Sequence, residues 1–345
     1  MGKKLILAVA GSGKTRSIIN ELSLDKRTLI ITYTNNNYEN LNERVIEKFG
    51  EIPENISIYT YFSFLYSFCY LPCTYYLVGS RSINYNNEQQ SFARKGVTSK
   101  DTLYYQDYSG NLLGNRLALL LGNFSLEEIL SRIDRFYDAL IIDEVQDFAA
   151  HDFNFIKSLS ACKTNILYVG DFYQHTYDTS RDGNTRKNLF ENGYDAYKEA
   201  FGDAFEIDDT TLSTSYRCSS SVCGYVTANL GINIYSHDDR ESTISIVEDE
   251  AEIKRIAEDD NIAKLFYQSH LDYQCASMNW GASKGIDKFQ DICVVLNPTT
   301  WPMVKTGNFS RINKSTKNKL YVAITRARGN VYFVQQARLS DYRKV

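Results

Sequence analysis

Eight consecutive residues near the start of the chain constrain its folding more than any others: Ala8-Val9-Ala10-Gly11-Ser12-Gly13-Lys14-Thr15. They follow an apolar, strand-like run, Leu5 to Ala10, and lead into a helix-like stretch, Arg16 to Leu22. Strand, glycine-bearing turn and helix in that order make a cradle for phosphate. The glycines let the backbone curl so that successive N–H groups from Ala10 through Gly11, Ser12, Gly13, Lys14, Thr15 and Arg16 face an anion. Lys14 adds a positive point charge, and the Thr15 hydroxyl is placed to ligate Mg²⁺. The positive end of the following helix favours the same anion. The pattern points to a bound nucleoside triphosphate.

The remaining composition narrows the class. Lys3 and Lys4 followed by the run to Ala10 resemble an export signal, but the run is shorter than the apolar core such a signal needs. No run elsewhere approaches the ~20 apolar residues of a membrane span, so a cytoplasmic protein is expected. A chain of 345 residues, 43% of them hydrophobic, has enough apolar matter for two domains. The seven cysteines show no C-x-x-C spacing, and none of the four histidines sits beside Cys69/Cys73 or Cys218/Cys223. No metal or iron–sulfur site is expected, and the thiols read as reduced and mostly buried. The net charge of −4 does not mark a polyanion binder, but its distribution is uneven. Trp301 to Val345 carries ten Lys or Arg against Asp341 alone, whereas Asp238 to Asn261 carries ten acids against three bases. This fits a basic groove on one face, and equally an ordinary solvated surface. The 26 tyrosines and 18 phenylalanines accompany many Asn, Ile and Lys, a coding bias, so an aromatic carries weight only inside a motif.

Three further short apolar runs, Thr28–Thr32, Ala139–Ile142 and Asn165–Gly170, alternate with helical patterns. They predict an α/β fold with a buried parallel sheet, whose ligands bind beyond the C-terminal strand ends. Leu65 to Arg135, rich in Tyr, Asn and Ser with one long helical stretch late on, reads as an insertion. A second α/β unit is expected from about Phe205, with an acidic helix at Glu250–Asp259 and strands at Ile292–Leu296 and Asn330–Val334. The run at Ala139–Ile142 ends in Asp143-Glu144-Val145-Gln146-Asp147. Asp143 is placed to hold Mg²⁺, and Glu144 to orient and deprotonate an attacking water.

With those residues in place, nearly the whole chain resembles the superfamily 1A helicases of the UvrD, PcrA and Rep type. Asp143-Glu144-Val145-Gln146-Asp147 resembles their D-E-x-Q-D, and Thr32-Tyr33-Thr34-Asn35 with Arg44 resembles their T-F-T-N…R segment. Thr60-Tyr61-Phe62-Ser63-Phe64 is similar to T-x-H-S-F, and Gly170-Asp171-Phe172-Tyr173-Gln174-His175-Thr176-Tyr177 to G-D-x-x-Q-x-I-Y. The resemblance implies strand contacts from Thr32, Tyr33, Asn35, Thr60, Phe62 and Tyr177, and a γ-phosphate-sensing role for Gln174. Leu212 to Arg217 resembles L-x-x-N-Y-R, Ala282 to Asp287 resembles S-K-G-L-E, and Leu320 to Ala327 resembles the family's final motif. By that likeness Tyr216 stacks on the base of ATP, Gly285 and Asp287 face the nucleotide, and Ser283 and Lys284 face the strand. Arg217 and Arg326 are its arginine fingers. The resemblance thus implies two RecA-like parallel-sheet motor domains, 1–204 with an insertion at about 65–135 and 205–345, with ATP and Mg²⁺ between them.

The departures are specific. The family's adenine-reading glutamine segment has no counterpart in the few residues before Ala8, leaving base recognition to Tyr216. Phe62 and Gly281 stand where the family has histidines, Asp287 stands where glutamate is usual, and only Arg181 follows Tyr177 where an aromatic-Arg pair is expected. The interval between Arg217 and Ala282 is too short for the family's large second insertion. This compactness resembles helicase-like subunits of bacterial anti-phage systems. The expected activity is ATP-driven movement on single-stranded DNA, 3′ to 5′ by family, with RNA an open alternative. The rival is an ATP-dependent sensor subunit that signals to a partner protein such as a nuclease.

Overall fold

The computed structural model describes residues 2–85, 96–176 and 185–344. They form two compact units: the described residues of Met1–Ile6, Thr15–Gly170 and Tyr177–Asp208, and those of Leu7–Lys14, Asp171–Thr176 and Asp209–Val345. The α/β architecture with parallel sheets expected from the sequence is the one observed.

In the first unit, β1 (Lys3–Leu7), β2 (Thr28–Thr32) and β3 (Ile56–Thr60) precede a small pair, β4 (Ile83–Asn84) and β5 (Leu112–Leu113), and are followed by β6 (Ala139–Ile142), β7 (Asn165–Gly170) and β8 (Glu206–Asp208). The main sheet has the order β3-β2-β6-β7-β1-β8. Its pairings β2/β3, β2/β6, β6/β7 and β1/β8 are parallel, with Ile30 opposite Ile141 and Ile142 opposite Tyr168. Every residue of β2 is buried, which is why it reads as an unbroken apolar run rather than an alternating one. Helices α1 (Lys14–Glu21), α2 (Asn35–Phe49), α3 (Leu117–Phe124), α4 (Leu126–Phe136), α5 (Ala150–Ser158) and α6 (Tyr194–Phe201) accompany it. The Thr34 hydroxyl caps α2 by accepting from Asn37 N, and Gly50, at φ 85°, ends it in the left-handed region that a β-carbon disfavours.

The segment expected to be an insertion differs in detail from expectation. After β3 the chain forms a π-helical run, Phe64–Tyr70, and the late helical stretch is split into α3 and α4. The break falls at Ser125, whose φ of −145° is not helical and whose hydroxyl donates to the Cys73 carbonyl. Gly122 and Asn123 just before it are weak helix formers.

The second unit holds a two-strand pair, β9 (Thr214–Ser215) with β10 (Tyr235–Ser236), and a five-stranded parallel sheet. That sheet comprises β11 (Ile244–Val247), β12 (Ala263–Phe266), β13 (Ser277–Asn279), β14 (Ile292–Leu296) and β15 (Val331–Gln335), in the order β11-β15-β14-β12-β13. Its helices are α7 (Ser220–Leu230), α8 (Glu250–Glu258), α9 (Thr300–Thr306) and α10 (Lys314–Ile324). One core joins Leu265, Trp280, Val294, Leu296, Tyr321 and Ile324 to Val9 and Ala10, so the loop after β1 is packed into this unit. Trp280 is fully buried and its indole N–H donates to the Leu265 carbonyl at 2.7 Å.

Candidate functional site

The glycine-bearing loop curls at Gly11 (φ 72°) and Gly13 (φ 85°), both in the region glycine alone enters freely. Its shape is held by the segment before α7: Val9 N donates to the Leu212 carbonyl, and Tyr216 N to the Gly11 carbonyl at 2.8 Å. A β-carbon on Gly11 would lie 2.6 Å from Ser215 Oγ and 2.7 Å from Arg217 Cβ, so the close approach needs glycine. Ser12 is buried, and its hydroxyl has no hydrogen-bond partner. Lys14, at the loop's end, is half-buried and opens α1.

Around this loop the second unit gathers most of the charged residues expected at the site. Arg217 is buried and donates through Nη1 to the Thr325 carbonyl at 3.0 Å, while Nη2 forms an ion pair with Asp287. Asp287, expected to face the nucleotide, thus has a guanidinium as its partner. Arg326 is 1% exposed; Nε donates to the Val322 carbonyl, and Nη2 has no partner. Burial, and then the charge of Arg217, lower its pKa to about 10, which leaves it cationic at neutral pH. Arg217 is paired with Asp287, whereas the hydrogen bonds of Arg326 go to backbone carbonyls alone, and a buried guanidinium without a carboxylate partner favours an anion beside it.

Gln174 is buried on the same side. Its Nε2 donates to Asp171 Oδ2 at 2.8 Å, and Asp171 Oδ2 also accepts from the Tyr321 hydroxyl at 3.1 Å. Tyr216 is 55% exposed, with its ring 4.2 Å from that of His237, and so presents an open aromatic face. Gly285 is exposed with φ 81°, and Lys284 is half-buried. Ser283 departs from expectation: it is fully buried and its hydroxyl donates to the Trp280 carbonyl at 2.6 Å, so it offers no surface to a strand.

The first unit carries the carboxylates. Asp143 and Asp147 are buried at the C-terminal end of β6, and Glu144 adopts φ 54°, rare for a residue with a side chain. Gln146 Nε2 donates to Glu144 Oε2. Gly170 makes room for this turn, since a β-carbon there would meet Gln146 and Val145. Thr15 is half-buried on α1, and Arg16 lines a cleft of about 230 Å³ with Ile19, Arg44, Glu47 and Lys48.

The residues expected to contact a strand are split. Tyr33 is half-buried, stacked on Tyr61 at 5.8 Å and edge-on to Phe148 at 5.3 Å. Asn35 is exposed at the start of α2, and Phe62 is half-buried with its ring 5.3 Å from Tyr85. Thr60 donates to Ser63 Oγ and accepts from Ser63 N, acting as a helix cap. Thr32 is fully buried in β2 and, like Ser283, presents no surface. Tyr177 and Arg181 lie outside the described residues. Tyr321, Asp171 and His237 had no assigned role; the first two stand within quoted motifs, but nothing local marks their partners.

A glycine-bearing loop between a parallel strand and a helix, with buried carboxylates ending another strand of that sheet, defines a P-loop α/β protein. The chain belongs to the AAA domain family AAA_19, which matches residues 2–180, just over half its length. Among solved structures, an arterivirus nonstructural protein 10 (helicase) shares the fold with a TM-score of 0.51 at 12% identity, over 99% of this chain and 62% of that one. The arterivirus protein in complex with DNA gives 0.48 at 13% identity, over 99% and 63%. PRRSV helicase gives 0.47 at 14% identity, over 98% and 53%. The chain therefore spans between 53% and 63% of the length of these three structures. No curated protein matches its sequence.

Proposed function

We propose that this protein is an ATP-hydrolysing motor that moves along single-stranded nucleic acid, DNA with 3′ to 5′ polarity, by two RecA-like domains divided near residue 204. The observation that carries the reading is the pair of buried arginines, Arg217 and Arg326, in the second unit. There the buried Ser12 hydroxyl and Arg326 Nη2 have no partner beside a loop curled for phosphate. In this reading the loop N–H groups and Lys14 bind the triphosphate, while Arg217 and Arg326 neutralise charge that develops on the transferred phosphoryl group. Glu144 takes a proton from the attacking water, with Gln146 steadying its carboxylate. Among the described residues no group of three or more His, Cys, Asp or Glu is arranged to hold a metal ion. Thr15 and Asp143 are the residues that would hold Mg²⁺ with phosphate and water oxygens, and the ion when bound supplies further neutralisation. Tyr216 offers the face for the base, and Tyr33 and Phe62 offer stacking faces to a strand.

The brief interval between Arg217 and Ala282 also supports a sensor that hydrolyses ATP and signals to a partner such as a nuclease. Among the described residues no helix is long and apolar enough to cross a membrane. ATP turnover measured with single-stranded DNA and RNA oligonucleotides of increasing length separates the readings. Stimulation that grows with length supports a motor, and its preference between the two nucleic acids identifies the track. Stimulation that saturates within a few nucleotides supports the sensor, and absence of turnover overturns both.

A further inference from the structure

The Tyr321 hydroxyl lies at the centre of a buried hydrogen-bond chain inside the second unit. It accepts from Ala10 N at 2.8 Å and donates to Asp171 Oδ2 at 3.1 Å. The same carboxylate oxygen accepts from Gln174 Nε2, and Asp171 Oδ1 accepts from Tyr173 N at 3.1 Å. One turn earlier on α10, Asn318 Nδ2 donates to the His175 carbonyl at 3.0 Å. One turn later, the Thr325 hydroxyl donates to the Tyr321 carbonyl, and the Thr325 carbonyl accepts from Arg217. Ala10, Asp171 and Tyr321 are all fully buried.

A phenol has one proton to give and lone pairs to receive with. Here the proton goes to Asp171, and a lone pair takes the Ala10 N–H. Burial and the Asp171 charge push the Tyr321 pKa far up, so the group stays a neutral phenol at any working pH.

We propose that Tyr321 is a positioning residue for hydrolysis: its hydroxyl fixes the entry of the phosphate loop and the Asp171-held amide of Gln174 in one register with Arg217. The proposal rests on the ATPase reading above. Replacing Tyr321 with Phe leaves a buried N–H without an acceptor and removes one donor from Asp171, so the Gln174 amide loses its fixed orientation. The N–H groups from Gly11 onward and Lys14 keep their places. The loss therefore falls on kcat rather than on nucleotide affinity.

The test compares Tyr321→Phe with Tyr168→Phe in the full chain. Tyr168 is equally buried and donates to the Ile156 carbonyl at 2.6 Å, remote in sequence from the loop. Both variants are expected to lose similar thermal stability. Only Tyr321→Phe is expected to lose about tenfold or more in kcat, with ADP affinity within about threefold of wild type. A Tyr321→Phe/Gln174→Ala double variant should be no slower than Gln174→Ala alone, because both changes act through one amide. Asp171→Asn, which keeps the phenol, should reproduce the kcat loss. Wild-type kcat in Tyr321→Phe, equal losses in both Tyr→Phe variants, or additive losses with Gln174→Ala overturn the proposal. Lack of turnover in the wild-type protein fails the ATPase reading instead, so the two failures are distinguishable.

Discussion

The two units divide the candidate chemistry unequally. In the second, Ala10 of the loop, Arg217, Arg326 and Gln174 are buried and hydrogen-bonded to α10, to its cap Thr325 or to Asp171, above the core around Trp280. In the first, the acidic residues sit on a single strand end, with Glu144 in a rare backbone conformation and Tyr33 and Phe62 only half-buried among other rings. The half proposed to bind phosphate is thus densely packed, whereas the half proposed to activate water and hold a strand has Glu144 in a rare backbone conformation and is partly open. Nucleotide affinity should consequently depend on the second unit, whereas turnover should depend on residues of both.

The largest effects separate them. Lys14→Ala removes the cation of the loop and should lower both nucleotide affinity and turnover, the latter by about a thousandfold or more. Arg326→Ala should lower kcat by about a hundredfold or more while ADP affinity changes little, since its charge acts on the transferred group. Steady-state turnover beside nucleotide titration checks both, and an Arg326→Ala enzyme at wild-type rate removes Arg326 from the site.

A stability contrast comes next. Trp280→Ala empties the core beneath the second unit's network and should cost about 3–5 kcal/mol in chemical unfolding. Tyr33→Ala in the first unit should instead leave basal turnover intact and weaken strand binding by about 1–3 kcal/mol, read as a higher oligonucleotide concentration for half-stimulation. Unchanged half-stimulation would free Tyr33 from strand contact.

Much of this division was legible in the sequence for physical reasons. Strands buried on both faces are unbroken apolar runs, so Thr28–Thr32 and Ala139–Ile142 announced a parallel sheet. Lys14 and Glu144 sit in short motifs whose chemistry is local. The packing of residues 7–14 and 171–176 with the second unit was not legible, because it depends on contacts such as Ala10 with Tyr321, separated by 311 positions. Burial misled at Thr32 and Ser283, whose motif positions suggest a surface that the fold covers. The motif position of Asp287 predicts a nucleotide-facing carboxylate, and only the three-dimensional neighbour reveals Arg217 as its partner.

The smallest expected effect marks the edge of the first unit. Arg27 hydrogen-bonds the half-exposed Asp138 through Nε and Nη2, holding that carboxyl at about 2. A folded pKa below the unfolded value of about 3.9 stabilises above that value and is lost as pH falls toward about 2. With both side chains half-exposed and screened by water, Arg27→Ala should lower stability in urea only slightly at pH 7, and the difference from wild type should shrink below pH 4. A difference that grows in acid would assign the depressed pKa to another cause.

The separation of binding from chemistry is read most directly in Glu144→Gln, by titrating nucleotide calorimetrically and measuring turnover on the same preparation. Wild-type nucleotide affinity with turnover reduced about a thousandfold or more is the expected result, because the loop and arginines of the second unit are untouched while the base for water is gone. Turnover that survives the substitution would contradict Glu144 as the base, and affinity lost along with turnover would contradict the division itself.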